Sequence, residues 1–147
     1  MNDDIRDLYQ EVILDHNKHP RNFGEMSDAD ERREGYNPLC GDHYTFFLKW
    51  DGDTLSDLRF EGAGCAISKA SASMMSAIVK GKSKAEVEQL FHLFHDVVTG
   101  KIDATDHLDE LGKLAVFSGV SEFPARVKCA TLAWHTLHEA IAGAKAE

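Results

Sequence analysis

Apolar positions along the chain recur in two rhythms, and these predict where helices and strands lie. Ile5, Leu8, Tyr9, Val12 and Ile13 recur at spacings of three and four, one face of an amphipathic helix. Asp3 or Asp4 caps its start, and Pro20 stops it after His19. Arg21 to Pro38 is polar and reads as mostly loop, with room for a short strand before Tyr36. His43 to Trp50 is rich in aromatics and Thr, and Thr54 to Glu61 alternates less cleanly through Leu55, Leu58 and Phe60. Asp51-Gly52 between them is a hairpin signal, so the two strands pair antiparallel.

Beyond the hairpin the rhythm becomes helical. Gly62-Ala63-Gly64 breaks the second strand, and Cys65 opens a run of small helix-compatible residues that ends at Gly81. Ser83-Lys84-Ala85-Glu86 spells a capping box. Val87, Leu90, Phe91, Phe94, Val97 and Val98 form the apolar face of the helix it starts, and Gly100 ends it. His107 to Gly119 predicts a short helix within a variable connection. Pro124 suits the first turn of a last helix carrying Val127, Ala130, Trp134, Leu137 and Ile141. One helix, a small antiparallel sheet and then more helices make an α+β fold. No repeat or linker divides it, so residues 1–147 are expected to form a single domain.

Composition narrows the partners. Sixteen basic against twenty-five acidic residues leave a net charge of −9, which disfavours nucleic acid and anionic membrane surfaces. The start of the chain is acidic, unlike a secretory signal, and no apolar run approaches the ~20 residues that span a bilayer. Three cysteines, an odd number, argue against a closed disulfide framework. A cytoplasmic protein with free or metal-bound thiols is the expectation.

The cysteines fall at element boundaries. Cys40 lies in the loop before the first firm strand, Cys65 at a helix start between small residues, and Cys129 in the second turn of the last helix. Helix N-termini favour negative charge, and glycines beside a cysteine let backbone approach a ligand. All three positions are expected to be exposed enough to react. Cys129 stands one position, about 100° around the helix, off the apolar stripe and so need not face the core. The separations between the cysteines match no zinc-finger pair, so a shared site must be assembled by the fold. Three thiolates leave a four-coordinate metal one ligand short, and Asp42, two residues from Cys40, can supply a harder and more easily displaced oxygen. Arg126 and Lys128 flank Cys129 and can offset the excess negative charge, or be ordinary solvated helix charges.

Other patterns carry less. His16/His19, His92/His95 and His135/His138 are spaced to chelate from a helix face, but each pair reads first as solvated imidazoles. Gly81-Lys82-Ser83 is the tail of a phosphate loop without its first Gly, and a helix rather than a strand precedes it. Gly62 and Gly64 begin a dinucleotide fingerprint whose third Gly is replaced by Ile67. Ser68, Ser71, Ser73 and Ser76 point to close packing rather than catalysis, and Met74 and Met75 to core.

Together the three cysteine motifs resemble those of the U-type iron–sulfur assembly family, which comprises IscU, SufU and the NifU N-terminal domain. They are Pro38-Leu39-Cys40-Gly41-Asp42, Gly62-Ala63-Gly64-Cys65-Ala66-Ile67-Ser68, and Arg126-Val127-Lys128-Cys129-Ala130-Thr131-Leu132-Ala133-Trp134. The resemblance extends from Leu8-Tyr9, through His19-Pro20-Arg21-Asn22, to about Leu137. Two departures make the chain look like the SufU branch: Lys128 stands where IscU has His, and Val120 to Arg126 replaces the segment read by the IscU chaperone. The acidic stretch from Lys101 to Gly112 is similar to the SufU insertion, and by itself reads as a solvated loop.

The resemblance implies an IscU-like (SufE/IscU-type) fold of about three antiparallel strands packed against helices. It implies that Cys40, Asp42, Cys65 and Cys129 hold Zn2+ at rest. Cys40 would accept persulfide sulfur from a SufS-like cysteine desulfurase, with Asp42 in the same mobile loop and Arg126 orienting or neutralising the incoming group. Downstream Fe–S assembly proteins or apoproteins would receive the sulfur. The alternative is a scaffold on which iron and sulfur form a transient [2Fe–2S] cluster at the same ligands.

Overall fold

The computed structural model describes residues 3–38 and 41–146. Helix α1 (Asp3–Lys18) leads to a three-stranded antiparallel sheet, β1 (Glu31–Asn37), β2 (Asp42–Asp51) and β3 (Thr54–Ala63), in the order β1-β2-β3. Then come α2 (Ala66–Val79), α3 (Lys84–Val98), a 3₁₀ turn, α4 (Leu108–Leu111), a longer 3₁₀ segment and α5 (Pro124–Ala146). This is the expected α+β architecture. No helix among the described residues is long and apolar enough to cross a membrane.

The sheet and the helices share one core. Phe46, Leu48, Leu58 and Phe60 are buried on the sheet, and Phe46 stacks on Phe60 with centroids 5.9 Å apart. From the helical side, Trp134 of α5 stacks on Phe94 of α3 at 4.8 Å, and Phe117 meets Phe94 edge-on. Ser83 and Glu86 form the expected capping box at the start of α3.

β1 is longer than its sequence pattern suggests: all seven of its residues pair with β2, from Glu31↔Leu48 to Asn37↔Asp42. Only Gly35 and Asn37 are buried along it, so no apolar alternation announces the strand. Its inward position is a glycine because α5 crosses there. A Cβ on Gly35 would lie 2.4 Å from Thr136 Oγ1.

The serines of α2 are packed, as expected, and they also form a polar seam. Ser73 Oγ accepts the backbone N–H of Arg21 at 2.8 Å and lies 2.7 Å from His16 Nδ1. Ser76 Oγ donates within its helix to Ser73 O and accepts from Asn22 Nδ2, and Ser71 Oγ donates to Ala130 O across to α5. His16 is therefore buried and partnered, not solvated; burial first, then the nearby Arg21 charge, pushes its pKa down. The segment from Asn22 to Gly24, held by this seam, pairs with the free edge of β3 through Phe60.

The stretch from Lys101 to Gly112 is not simply a solvated loop. Asp103 caps the turn that follows it, Ala104 and Leu111 are buried, and Gly112 at φ +54 separates α4 from the next 3₁₀ segment. That segment buries Leu114, Val116, Phe117 and Val120, so the short helix expected over His107–Gly119 is a broken one.

Candidate metal centre

Five pieces of chain converge at one end of the sheet. β1 ends at Asn37 and β2 begins at Asp42, directly across the ladder from it. β3 ends beside them, Gly64 turns the chain, and Cys65 caps the N-terminus of α2. The second turn of α5 brings in Cys129. One ligand atom each from Asp42, Cys65 and Cys129 lies within 4.8 Å of the others.

Asp42 is the hub, and the structure corrects its expected place in a mobile loop. It is the first residue of β2 and has no solvent exposure. Period-two alternation sends Asp42, Tyr44 and Phe46 to the same inner face. Its Oδ1 accepts the backbone N–H of Cys65 at 2.8 Å, and its Oδ2 lies 4.0 Å from Cys65 Sγ. Asn37 Nδ2 donates to Asp42 Oδ2 at 3.4 Å and approaches Cys129 Sγ at 3.8 Å. Cys65 Sγ accepts the Ser68 N–H as the helix cap.

Two glycine positions make the convergence possible. A Cβ on Gly64 would sit 2.5 Å from Asp42 Oδ1, 2.6 Å from the Tyr44 hydroxyl and 2.7 Å from Ser68 Oγ. Gly62, at φ +133, would drive a Cβ into the His43 carbonyl at 2.2 Å.

Beneath the thiols, Tyr44 shares a 2.8 Å hydrogen bond with Ser68 Oγ. Burial raises its phenol to about 12, against the Ser68 bond and with the negative charge of Asp42 and both cysteines adding to it. Tyr9 of α1 lies within electrostatic reach of the same thiols. Burial raises its pKa, Arg126 opposes this, and Cys65 and Cys129 reinforce it.

Asp42, Cys65 and Cys129 are brought together. Cys40 lies outside the described residues. Cys65 is half-buried and Cys129 is 3 % exposed, so the expectation that both are open to reaction fails for Cys129. Its helix position is off the Val127/Ala130/Trp134 stripe, but β1 and β2 cover that face too. Arg126 is exposed at the start of α5, its guanidinium 4.6 Å above the Phe123 ring, and Lys128 is also exposed. Asn37, Tyr44 and Tyr9 stand at the site from outside the expected set. Tyr44 was legible from its two-residue spacing from Asp42; Asn37 and Tyr9 needed the ladder and the helix packing.

The donor set suits a tetrahedral metal of borderline softness. Zinc bonds of ~2.3 Å to sulfur and ~2.0 Å to oxygen place neighbouring S and O ligands roughly 3.5 Å apart. The 4.0 Å between Cys65 Sγ and Asp42 Oδ2 is close to that spacing.

The family profile described as the NifU-like N terminal domain matches residues 8–130. The zinc-dependent sulfurtransferase SufU of Bacillus subtilis (strain 168) is 44% identical over 141 residues, spanning 96% of this chain and 94% of that protein. The iron–sulfur cluster assembly scaffold protein IscU of Streptococcus pyogenes serotype M1 is 42% identical over 137 residues, spanning 93% and 84%. Among solved structures, a candidate scaffold protein for the SUF system of Fervidobacterium islandicum AW-1 superposes with a TM-score of 0.84. It is 36% identical, with 92% of this chain and 98% of that chain covered.

Proposed function

For a chain that belongs to the NifU-like N-terminal domain family of iron–sulfur cluster assembly proteins, we propose the role of a sulfur relay. In this reading Cys40 receives sulfane sulfur from a SufS-like cysteine desulfurase in the cytoplasm and passes it to later Fe–S assembly proteins or apoproteins. The observation that carries the reading is the buried Asp42 carboxylate set against two thiols. An all-thiolate or His-completed site is the usual structural closure, whereas a carboxylate is the more readily exchanged ligand.

Asp42, Cys65 and Cys129, with Cys40 as the fourth, would hold Zn2+. Bound zinc would keep the thiols deprotonated and guarded from oxidation. The protein's own groups do the rest. The Cys65 N–H and the Asn37 amide hold the Asp42 carboxylate in place. The transfer is a thiol exchange: Cys40 Sγ attacks the outer sulfur of the desulfurase persulfide. A new S–S bond forms on Cys40, the old one breaks, and the desulfurase cysteine leaves as a thiolate with no net oxidation. Arg126, exposed and less than one helical turn from Cys129, offers a positive charge to the incoming group.

Lys128 beside Cys129 and the similarity to a named zinc-dependent sulfurtransferase support the relay. Similarity to named scaffold proteins supports the second reading, a transient [2Fe–2S] cluster on the same ligands. Incubation with desulfurase and cysteine separates them. The relay gains cyanide-labile sulfur and raises desulfurase turnover, and Cys40→Ala abolishes both. Unchanged turnover, with a stable chromophore built from iron and sulfide without air, would overturn the relay in favour of the scaffold. Metal content after purification without added metal should be one zinc per chain.

A further inference from the structure

Asn37 is the last residue of β1, and Pro38 follows it. A proline holds the residue before it in the extended region, so Asn37 keeps strand geometry to the end of the ladder. It pairs with Asp42, and side chains directly opposite each other on an antiparallel ladder stand on the same face. That face is the interior: Asn37 is 6 % exposed and Asp42 is fully buried. Asn37 Nδ2 lies 3.4 Å from Asp42 Oδ2 and 3.8 Å from Cys129 Sγ, in the gap between carboxylate and thiol. An amide nitrogen carries two protons, one for each of these acceptors. A carboxylate and a thiolate both accept, so the NH2 end of the amide is the end that suits the gap.

The two oxygens of Asp42 keep different company. Oδ1 accepts the Cys65 N–H at 2.8 Å, which ties the carboxylate to the backbone. Oδ2 stands 4.0 Å from Cys65 Sγ and is the oxygen that Asn37 meets. Resting on the zinc-centre reading of Asp42, Cys65 and Cys129, we propose that Asn37 is a positioning residue of that centre. Its amide links Asp42 Oδ2 to Cys129 Sγ and sets the donor strength of both, without itself being a ligand.

The reason is charge. Thiolates and a carboxylate around a divalent ion leave an excess of negative charge, and in an interior such charge needs hydrogen bonds. An N–H donor draws electron density from the sulfur it meets and makes it a weaker nucleophile. Cys65 Sγ receives such a bond from the Ser68 backbone N–H at 3.4 Å. The donor to Cys129 is a side chain, so it is the one that substitution can remove. Asn37 thereby keeps Cys129 a retained ligand rather than a competing sulfur acceptor. It also gives Oδ2 a hydrogen-bond partner when another ligand takes its place on the metal.

The test loads the full chain with Co2+ and records the sulfur-to-metal charge-transfer band. Asn37→Leu is close in volume and has no donor. Its band should move to longer wavelength, because a thiolate without its N–H gives up an electron more easily. Zinc affinity by chelator competition should fall roughly tenfold or more. Cys129 should be alkylated by iodoacetamide faster in the zinc-loaded variant than in wild type. Asn37→Ser, with a single donor, should place the band between the two. In wild type loaded with a spin-active cadmium isotope, the Asn37 side-chain N–H should couple to the metal through the Cys129 sulfur. A packing role would change the urea midpoint of the metal-free variants and leave the band in place. An unshifted band in Asn37→Leu and Asn37→Ser, or no coupling in wild type, would overturn the proposal. Sulfur transfer to Cys40, assayed on the same proteins, keeps the two readings apart. A shifted band without transfer overturns the relay alone, and intact transfer with an unshifted band overturns the Asn37 role alone.

Discussion

Asp42 grips Cys65 twice: one carboxylate oxygen accepts the Cys65 backbone N–H at 2.8 Å, and the other lies 4.0 Å from its sulfur. The first contact fixes the start of α2 against β2, and the second offers a ligand beside the thiol. Structure and chemistry therefore meet in one side chain. Asp42→Asn keeps an oxygen for the N–H but gives up the charge; Asp42→Ala gives up both. Both variants should bind zinc at least tenfold more weakly in a chelator competition. In urea melts of metal-free protein, Asp42→Ala should be the less stable of the two by about 1–3 kcal/mol, the cost of a lost buried charge-assisted bond. Equal stability of the two variants would show that the N–H contact contributes nothing.

Gly64 lies in a tight cradle of polar side chains. A methyl group there meets three polar atoms at 2.5–2.7 Å, so Asp42, Tyr44 and Ser68 cannot all keep their places. Gly64→Ala should cost about 1–3 kcal/mol, in the range of overpacked cores. Zinc stoichiometry should fall well below that of wild type while the helical circular dichroism persists. Full zinc binding in this variant would refute the cradle role assigned to Gly64.

Gly35 and Thr136 offer a coupled pair between β1 and α5. In Gly35→Ala the new methyl strikes Thr136 Oγ1 at 2.4 Å, whereas Leu132 and the Thr136 Cβ lie at ordinary contact distances of 3.4 and 3.5 Å. Thr136→Ala removes the clashing oxygen with its bond to the Leu132 carbonyl, and the adjoining methyl group as well. The double variant should recover at least half of the stability that Gly35→Ala loses. A double-mutant cycle by thermal unfolding measures this coupling, expected at about 0.5–3 kcal/mol. Simple additivity would place the strain elsewhere.

His16 should make stability sensitive to mild acid. Burial lowers its folded pKa beneath the ordinary imidazole value of 6.5, so the unfolded chain binds the proton more readily. The contribution of the neutral ring is complete above 6.5 and declines as pH falls from there toward the folded pKa. A proton NMR titration should place the His16 ring below 6.5. His16→Gln should show a shallower loss of melting temperature between pH 7 and pH 5.5 than wild type. Ser73→Ala, which leaves the Arg21 N–H and the His16 ring without their shared partner, should destabilise by about 1–3 kcal/mol.

Much of this was present in the chain order. The amphipathic first helix, the Asp51-Gly52 hairpin, the Ser83 capping box and the Pro124 start of α5 are local, set by spacing and turn chemistry within a few residues. The motifs around Cys65 and Cys129, with Asp42 and the paired glycines, hold residues that the fold brings together. The full length of β1 was hidden because an edge strand with one glycine and one asparagine facing inward has no hydrophobic rhythm to read. The 3₁₀ segments after α3 were hidden because Gly112 interrupts a pattern that otherwise looks helical.

By itself, then, the sequence determined most of the elements, the α+β class and the residue types of the candidate metal centre, because helix period, strand alternation and capping act over short separations. Only the tertiary structure decided burial and company. It put Asp42 inside at the head of a strand, covered Cys129 with β1 and β2, and placed Asn37 between the two residues. Those outcomes depend on the angle and register at which distant elements pack. Contact across 23 or 92 residues of chain leaves no periodic trace within either segment.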